Sequence, residues 1–196
     1  MPDYLSFILR LLVFATIHSL LAAPRVKARL RAAAGSDLPW YRLAYNVTAL
    51  CLFGWVMLAW QSTSVLYLAP GIWSLVMYGL QVLLLLGMLA CIRQTGLARF
   101  LGASPGGDDH SVLNTKGCHA MVRHPLYLLG ILFFLLNPVM TTRWLTLTIL
   151  GTIYLLIGAL VEERRMLALF GTAYRVYLRQ TPFILPRLSP GRPRSE

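Results

Sequence analysis

Five long apolar runs alternate with short polar segments along this chain. The runs cover roughly residues 4–23, 43–60, 71–92, 125–140 and 144–161. A helix needs about 20 mostly apolar residues to cross the hydrocarbon core of a membrane. The pattern therefore predicts an all-α integral membrane protein with about five transmembrane helices. The first run is too long for a signal peptide and precedes its basic cluster, so we expect a retained span.

The chain changes character after the fifth run. Apolar and aromatic residues recur there at steps of three and four, namely Met166, Leu169, Phe170, Ala173, Tyr174, Tyr177 and Leu178. This spacing predicts a C-terminal amphipathic helix on the cytoplasmic membrane surface, which Pro182 and Pro186 end. We expect residues 1–186 to form a single domain and residues 187–196 to form a disordered basic tail. The polar stretch 101–121 predicts a long cytoplasmic loop.

Lysine and arginine are concentrated in alternate connections between the runs. They are Arg25, Lys27, Arg29, Arg31 and Arg42 in the first connection, Arg93, Arg99, Lys116 and Arg123 in the third, and Arg164, Arg165, Arg175, Arg179, Arg187, Arg192 and Arg194 after the fifth run. The positive-inside rule therefore predicts an inner-membrane protein with its N-terminus outside and its C-terminus in the cytoplasm. The net charge of +11 does not indicate nucleic acid, because the cations lie in short clusters between apolar runs.

A few residues depart from the apolar pattern of the spans. Arg10 lies within the first run and is expected to reach toward the outer interface, or else to be buried. His18 is expected to face the helix bundle in a hydrogen-bonded packing role, with function as the alternative. Cys51, Cys91 and Cys118 have no metal-ligand spacing, and their odd number argues against a disulfide framework. We expect small apolar fillers, with a free thiol at Cys118 as the alternative, and no metal site.

Polar residues gather at the predicted inner ends of the fourth and fifth spans. The fourth span begins with Arg123, His124, Pro125 and Tyr127, and the fifth ends with Glu162 and Glu163. A short outer turn makes these spans antiparallel neighbours, so both groups of residues are expected to meet at the membrane edge. In the simplest interpretation they are ordinary span flanks. However, adjacent acids at the negative end of a helix cost free energy unless a cationic group binds there.

Two segments carry a resemblance to a known family. The segment "VRHPLY", followed one hairpin later by "EERRMLALFGTAYRVYLRQTPFILP", resembles the isoprenylcysteine carboxyl methyltransferase superfamily, and most of all its bacterial methanethiol S-methyltransferases. The resemblance is strong from Gly117 to Pro186 and weaker over "HSLLAAPRVK" and "YRLAYN". Two positions depart from the pattern, since His119 replaces an aromatic residue and Leu129 replaces a glycine.

The resemblance implies a methyltransferase that uses S-adenosylmethionine. It assigns Arg123 and His124 as candidate catalytic residues. Carried over by position, the cofactor-binding residues are Gly117, Val122, Arg123, His124, Pro125, Tyr127, Glu162, Glu163, Tyr174 and Tyr177. Carboxylates and aromatic faces suit the cationic groups of the cofactor, and an arginine suits its carboxylate. The acceptor is expected to be a small thiol or a lipophilic molecule that reaches the site through the bilayer.

Other functions use the same helices without methyl transfer. The main alternative is a non-catalytic accessory protein or small-solute carrier in which the polar cluster serves packing. A haem-binding electron carrier would use His18 and His124 as ligands. A membrane reductase would bind a nicotinamide cofactor, but the chain has no Gly-x-Gly-x-x-Gly motif. The sequence leaves the oligomeric state open.

Overall fold

A computed structural model describes residues 3–35, 40–59, 63–96 and 113–186 of this chain. Its helices are α1 (Asp3–Ala22), α2 (Pro24–Ala34), α3 (Tyr41–Met57), α4 (Ile72–Thr95), α5 (Cys118–Met121), α6 (Pro125–Leu135), α7 (Thr142–Phe170) and α8 (Thr172–Gln180), and its strands are β1 (Val65–Leu68) and β2 (Val139–Thr141). The predicted tail at 187–196 and most of the predicted loop at 101–121 lie outside the described residues.

The all-α membrane class predicted from the sequence is confirmed. Within the described ranges, three helices are long and apolar enough to cross a membrane, namely Asp3–Ala22, Ile72–Gln94 and Thr142–Phe170. Their apolar side chains are largely exposed at the protein surface, as shown by Leu83 at 63% and Leu12 at 57%. Lipid suits such a surface and water does not. The second and fourth predicted spans form shorter helices, of 17 residues in α3 and 11 in α6.

The first connection forms a helix that the apolar pattern did not predict. Helix α2 begins with Pro24 directly after α1 and ends before Gly35, which adopts a left-handed conformation with φ 66° and ψ 9°. Proline at the first helical position and glycine just beyond the last are common helix boundaries. The segment has no apolar run because it consists mainly of alanine and basic residues.

The described residues divide into two compact units. The first unit takes those within 1–67, 95–109 and 139–146, and the second takes those within 68–94, 110–138 and 147–196. In the first unit, Arg10 donates a hydrogen bond to the Trp55 carbonyl (2.9 Å) and lies over the Trp55 ring. The Nε2 atom of His18 lies 2.6 Å from the Tyr45 hydroxyl. Arg10 and His18 of α1 therefore both bind partners on α3, which agrees with a packing role for His18.

The second and fourth connections between the predicted spans, which carry few charges, contain the two strands of a small sheet. Strand β1 follows α3, strand β2 follows α6, and the two strands pair with each other. Next to the sheet, the Thr142 amide donates to the Ser64 carbonyl (3.0 Å), and the hydroxyls of Thr63 and Thr142 lie 2.5 Å apart. The sequence analysis expected only a turn before α7, because a three-residue strand leaves no periodic signal. The pairing requires both connections to lie on the same side of the membrane.

In the second unit, α7 continues without a break past the predicted end of the fifth span. The sequence analysis ended the fifth span at Glu162 and Glu163 and placed the residues from Met166 in a separate amphipathic helix. This boundary was wrong, because the helix runs on to Phe170. The residues from Glu162 to Phe170 include no helix breaker, and Gly171 at φ 52° ends the helix instead. At 29 residues, α7 is about 44 Å long and exceeds the hydrocarbon thickness of about 30 Å. The amphipathic helix is the shorter α8, with Tyr174 and Tyr177 buried.

Glycines allow α6 to approach its neighbours in the second unit. A Cβ atom added at Gly158 of α7 would lie 3.9 Å from the Tyr127 hydroxyl, and one added at Gly151 would lie 3.7 Å from the Phe134 ring. On the other side, Leu129 packs over Gly87 of α4, where a Cβ atom would lie 3.6 Å from Leu129 Cδ1. The missing glycine at position 129 is therefore accommodated by a glycine on the neighbouring helix.

Candidate active site

The backbone before α6 is tied to the residues that follow α8. The amide of Arg123 donates to the Pro182 carbonyl (2.9 Å), and the amide of His124 donates to the Phe183 carbonyl (3.3 Å). Pro125 begins α6 and disfavours a helical conformation at the residue before it, so His124 stays outside the helix with its amide available. These two backbone hydrogen bonds hold Arg123 and His124 in place independently of their side chains.

The Arg123 side chain forms an ion pair with Glu163. Its Nε atom lies 2.8 Å from Glu163 Oε1, and the two side chains are only 12% and 15% exposed. The Nε–H is not aimed at an acceptor, so this contact is a charge pair rather than an aligned hydrogen bond. The Nη1 atom donates to the Leu178 carbonyl (3.1 Å), and the guanidinium lies 5.5 Å from the centre of the Phe183 ring. Glu163 therefore balances a largely buried cation.

His124 lies between both glutamates and an aromatic ring. It is 6% exposed, with Nε2 3.3 Å from Glu163 Oε1 and Nδ1 3.8 Å from Glu162 Oε2. Its ring stacks on Tyr127 at 5.4 Å with an interplanar angle of 5°, and the Tyr127 hydroxyl donates to Glu162 Oε2 (3.1 Å). Burial lowers the pKa of His124, Glu162 opposes this, and Arg123 adds to it. The imidazole is therefore mainly neutral near pH 7.

Two tyrosines of α8 close another side of the cluster. Tyr174 is 3% exposed and Tyr177 is 6% exposed, and their ring centres are 5.7 Å apart. The Tyr177 hydroxyl donates to the His119 carbonyl (2.6 Å). Burial is the main cause that raises the pKa of each phenol to about 12, and Glu163 adds to both shifts. Both rings therefore remain neutral at physiological pH.

The structure brings together most of the residues predicted for the site. Direct contacts join Arg123, His124, Tyr127, Glu162 and Glu163, and α8 adds Tyr174 and Tyr177. Val122 is 3% exposed and Pro125 is buried as the first residue of α6, so both position the backbone. Gly117 lies at the start of α5 beside Gln94 and makes no contact with the glutamates that the structure describes.

Comparison of the sequence with protein families gives one matching family. The family described as NnrU protein matches residues 6–136, which include Arg123, His124 and Tyr127 and end before α7.

The chain belongs to the NnrU protein family.

Curated relatives of this NnrU family member carry the name of one enzyme. The chain is 38% identical over 72 residues to a methanethiol S-methyltransferase of Crocosphaera subtropica, 36% over 97 residues to methanethiol S-methyltransferase 2 of Bradyrhizobium diazoefficiens, and 40% over 65 residues to a methanethiol S-methyltransferase of Mycobacterium tuberculosis. These matches cover 37%, 50% and 33% of this chain. They confirm the resemblance seen in the sequence.

The relatives are much longer than the matching segments. The matches span only 28%, 36% and 27% of the three relatives. The chain therefore corresponds to about a third of their length or less. No solved structure matches this NnrU family member significantly.

The sequence analysis did not assign functional roles to two residues that surround the cluster. Phe183 presents its ring edge to His124 at 5.1 Å. His119 accepts the Tyr177 hydrogen bond through its carbonyl, and its Nδ1 is buried with no hydrogen-bond partner among the described residues. The sequence shows that a histidine stands where relatives have an aromatic residue. It does not show that the ring nitrogen lacks a hydrogen-bond partner.

Gly117 is required by the fold at the start of α5. Its φ of 61° and ψ of −127° lie in a region that side chains avoid, and a Cβ atom there would collide with the Gln94 amide. Gln94 in turn accepts a hydrogen bond from the Cys118 amide (3.0 Å). These contacts explain why position 117 is a glycine, and no bound ligand is needed to account for it.

Gly117→Ala is expected to lower the free energy of unfolding by about 1–3 kcal/mol through backbone strain. The matched control is Gly171→Ala, which has a similar φ of 52° but no atom within 4 Å of the added Cβ. We expect the larger loss at Gly117, with Gln94→Ala removing the difference in the double variant. Thermal unfolding followed by tryptophan fluorescence measures all three, and equal losses in both glycine variants would contradict the role of Gln94.

Acid is expected to destabilise this family member through two histidines. Burial lowers the pKa of His119 and of His124 below 6.5, so the folded chain binds fewer protons than the unfolded chain. The unfolding midpoint should therefore fall as the pH drops below about 6.5, and these groups should not change it at higher pH. His119→Phe should flatten this dependence. An unchanged slope in that variant would show that His119 is not held in its neutral form.

Proposed function

We propose that this protein is an S-adenosylmethionine-dependent methyltransferase that acts on a small thiol or a lipophilic acceptor at the membrane. The names of its relatives support a methyl transfer, and the geometry of the cluster supports the binding of a cationic group. The observation that carries the proposal is the difference between the two glutamates. Glu163 is paired with Arg123, whereas the Glu162 side chain is 43% exposed beside two aromatic rings.

Glu162 has the properties needed to receive a cation from a ligand. Its closest cationic candidate among the described residues is His124 at 3.8 Å, which burial keeps mainly neutral. The Tyr127 hydroxyl donates to Glu162 Oε2 and so holds the carboxylate in one orientation. The negative charge of Glu162 is therefore available, and it lies at the edge of the cluster rather than inside it.

The residues present fit S-adenosylmethionine. Glu162 and the partly exposed Tyr127 ring would hold its cationic sulfonium and ammonium groups, whereas Tyr174 and Tyr177 are buried within the cluster. The buried, unpaired Nδ1 of His119 is a polar atom that a ligand could satisfy. When bound, this cofactor supplies a methyl group on a positively charged sulfur.

The protein's own contribution is to orient the acceptor and to take up its proton. His119 and His124 are both held neutral by burial, and a neutral imidazole nitrogen accepts a proton near pH 7. A thiol with a pKa of about 8.5 needs only modest help to form the thiolate nucleophile. Arg123 is already paired with Glu163 and hydrogen-bonded to Leu178, so we assign it to site structure rather than to the acceptor. Alignment of the reactants would supply most of the rate.

The proposed location is the cell inner membrane, with the N-terminus outside and the C-terminus in the cytoplasm. The exposed basic residues of α2 follow the first span directly, as the positive-inside rule requires of a cytoplasmic flank. The pairing of β1 with β2 supports a common, opposite side for the two connections with few charges. Under this orientation the polar cluster lies at the cytoplasmic edge of the bilayer.

Binding to detergent-purified protein tests the proposal directly. Calorimetry should detect micromolar binding of S-adenosylmethionine or S-adenosylhomocysteine, and a labelled methyl donor should then label small thiols, amines or lipid carboxylates. Transfer to thiols but not to the others would identify the acceptor class. Folded protein that binds neither cofactor would overturn the proposal and favour an accessory or carrier function.

A further inference from the structure

The structure pairs two cysteines that the sequence analysis treated separately. Cys91 in the last two turns of α4 forms a disulfide with Cys118, the first residue of α5. The expectation of a filler or a free thiol at Cys118 was wrong, because 27 residues separate the partners and their spacing has no recognisable pattern. Cys51 is the remaining cysteine and is free and exposed.

The disulfide lies at one end of a short helix whose other end leads into the candidate site. Helix α5 has only four residues, and helices shorter than about 12 residues are marginal without tertiary support. That support comes from the disulfide, from Gln94 at the Cys118 amide, and from Tyr177 at the His119 carbonyl. The residues that follow α5 are Val122, Arg123 and His124. Loss of the disulfide therefore removes one of the ties that position the site.

The two cysteines differ in their exposure to solvent. Cys91 is 4% exposed, whereas Cys118 is partly exposed. We therefore expect a thiol arriving from outside to reach Cys118 before Cys91. The proposed orientation places this pair on the cytoplasmic side, where disulfides are usually transient and redox-sensing. The unequal exposure and the proposed cytoplasmic location together favour a pair that opens and closes.

We propose that Cys91 and Cys118 form a reversible thiol–disulfide switch that small thiols and their disulfides operate, and that its state sets the affinity of the candidate site. The effect on affinity rests on the proposed cofactor binding, whereas the switch itself does not. A small thiolate attacks the Cys118 sulfur, a mixed disulfide forms there, and Cys91 leaves as a thiolate that takes up a proton. A second thiolate attacks the sulfur of the small partner and releases Cys118.

The net reaction is balanced. Two small thiols are oxidised to one small disulfide, and the protein disulfide is reduced to two thiols. The reverse reaction, with the small disulfide as oxidant, closes the bond again. A thiol acceptor would therefore act on this protein in two ways, as a substrate at the cluster and as a reductant at Cys118.

The disulfide state should change both the order of α5 and the binding of cofactor. In the oxidised protein, α5 is held at Cys118 and at His119, so the Arg-His segment is already positioned. Reduction should raise amide exchange in residues 118–124. It should also weaken S-adenosylhomocysteine binding about fivefold or more, the lower end of typical coupling between two sites. Amide exchange around His18 and Tyr45 in the first unit serves as the internal control.

Thiol titration tests the switch first, in the full-length protein. After mild treatment with oxidised glutathione, denatured protein should show at most one reactive thiol per chain, that of Cys51, and after treatment with reduced glutathione it should show three. In Cys51→Ser the two counts should be zero and two, with the switch unchanged. Alkylation followed by mass spectrometry should place a transient glutathione adduct on Cys118 and not on Cys91. Three thiols after oxidation, or an adduct only on Cys91, would overturn the proposal.

Binding and exchange measurements then test the coupling. Cys91→Ser with Cys118→Ser should lose all response to glutathione, and wild-type protein in each redox state gives the same comparison if that variant fails to fold. Equal amide exchange at 118–124 in both states would overturn the coupling. If exchange differs but no cofactor binds in either state, the proposed function fails while the switch stands. If cofactor binds equally in both states, the switch does not control the site.

Discussion

Glu162→Gln is expected to weaken S-adenosylmethionine binding about tenfold or more, because hydrogen bonds to charged groups contribute roughly 1.5–3 kcal/mol. The substitution keeps the shape of the side chain and an acceptor for the Tyr127 hydroxyl. It removes only the negative charge at the edge of the cluster. Because the side chain is 43% exposed and has no close cationic partner among the described residues, the unfolding midpoint should change little.

Calorimetry with S-adenosylmethionine and S-adenosylhomocysteine sharpens this prediction. Both ligands carry an ammonium group, but only the first carries a sulfonium. A larger loss for S-adenosylmethionine would place Glu162 near the sulfur, and equal losses would place it near the ammonium. Wild-type affinity for both ligands would contradict the assignment of Glu162, and would leave the cluster as a packing element.

In contrast to Glu162→Gln, the substitution Glu163→Gln is expected to lower the stability of the fold strongly. Arg123 and Glu163 are 12% and 15% exposed, and removal of one partner leaves a cation with little access to water. Breaking a buried ion pair in this way costs about 3 kcal/mol or more. The Nε2 atom of His124 also lies 3.3 Å from the same carboxylate oxygen. We therefore expect a clearly lower unfolding midpoint in detergent, followed by weaker ligand binding.

A second substitution distinguishes the loss of the ion pair from the cost of leaving the Arg123 cation unpaired. Replacing Arg123 by Met in the Glu163→Gln background removes the unpaired cation, so stability should recover in part relative to Glu163→Gln alone. The hydrogen bond from Arg123 to the Leu178 carbonyl is lost in that variant, which limits the recovery. An unfolding midpoint in Glu163→Gln equal to that of Glu162→Gln would show that the ion pair does not stabilise the fold.

Together these expectations give the adjacent acids different roles. Glu163 holds Arg123 and so fixes the segment before α6 against the residues after α8. Glu162 presents its charge outward beside His124 and Tyr127. This division explains how two acids can lie side by side on α7, since one is neutralised within the protein and the other is solvated and available to a cation.

Much of the architecture could be predicted from the sequence alone. Apolar runs of about 20 residues determined the membrane class, since lipid admits few other patterns. The Arg-His-Pro-x-Tyr and Glu-Glu elements marked the cluster because their chemistry is unusual at helix ends. The bounds of α7 and the existence of α2 and the strands were missed, because helix continuation and short pairings depend on residues beyond the local pattern.

The tertiary structure decided which of these residues act on one another. Only the packing of α6 against α7 showed that Arg123 pairs with Glu163 rather than Glu162, and only the fold brought Cys91 to Cys118. The unpaired nitrogen of His119 and the contact of Gly117 with Gln94 likewise depend on distances between residues far apart in the chain. Residue type and periodicity are local properties and can be read from a sequence, whereas partners, burial and pKa shifts arise only when distant segments pack together.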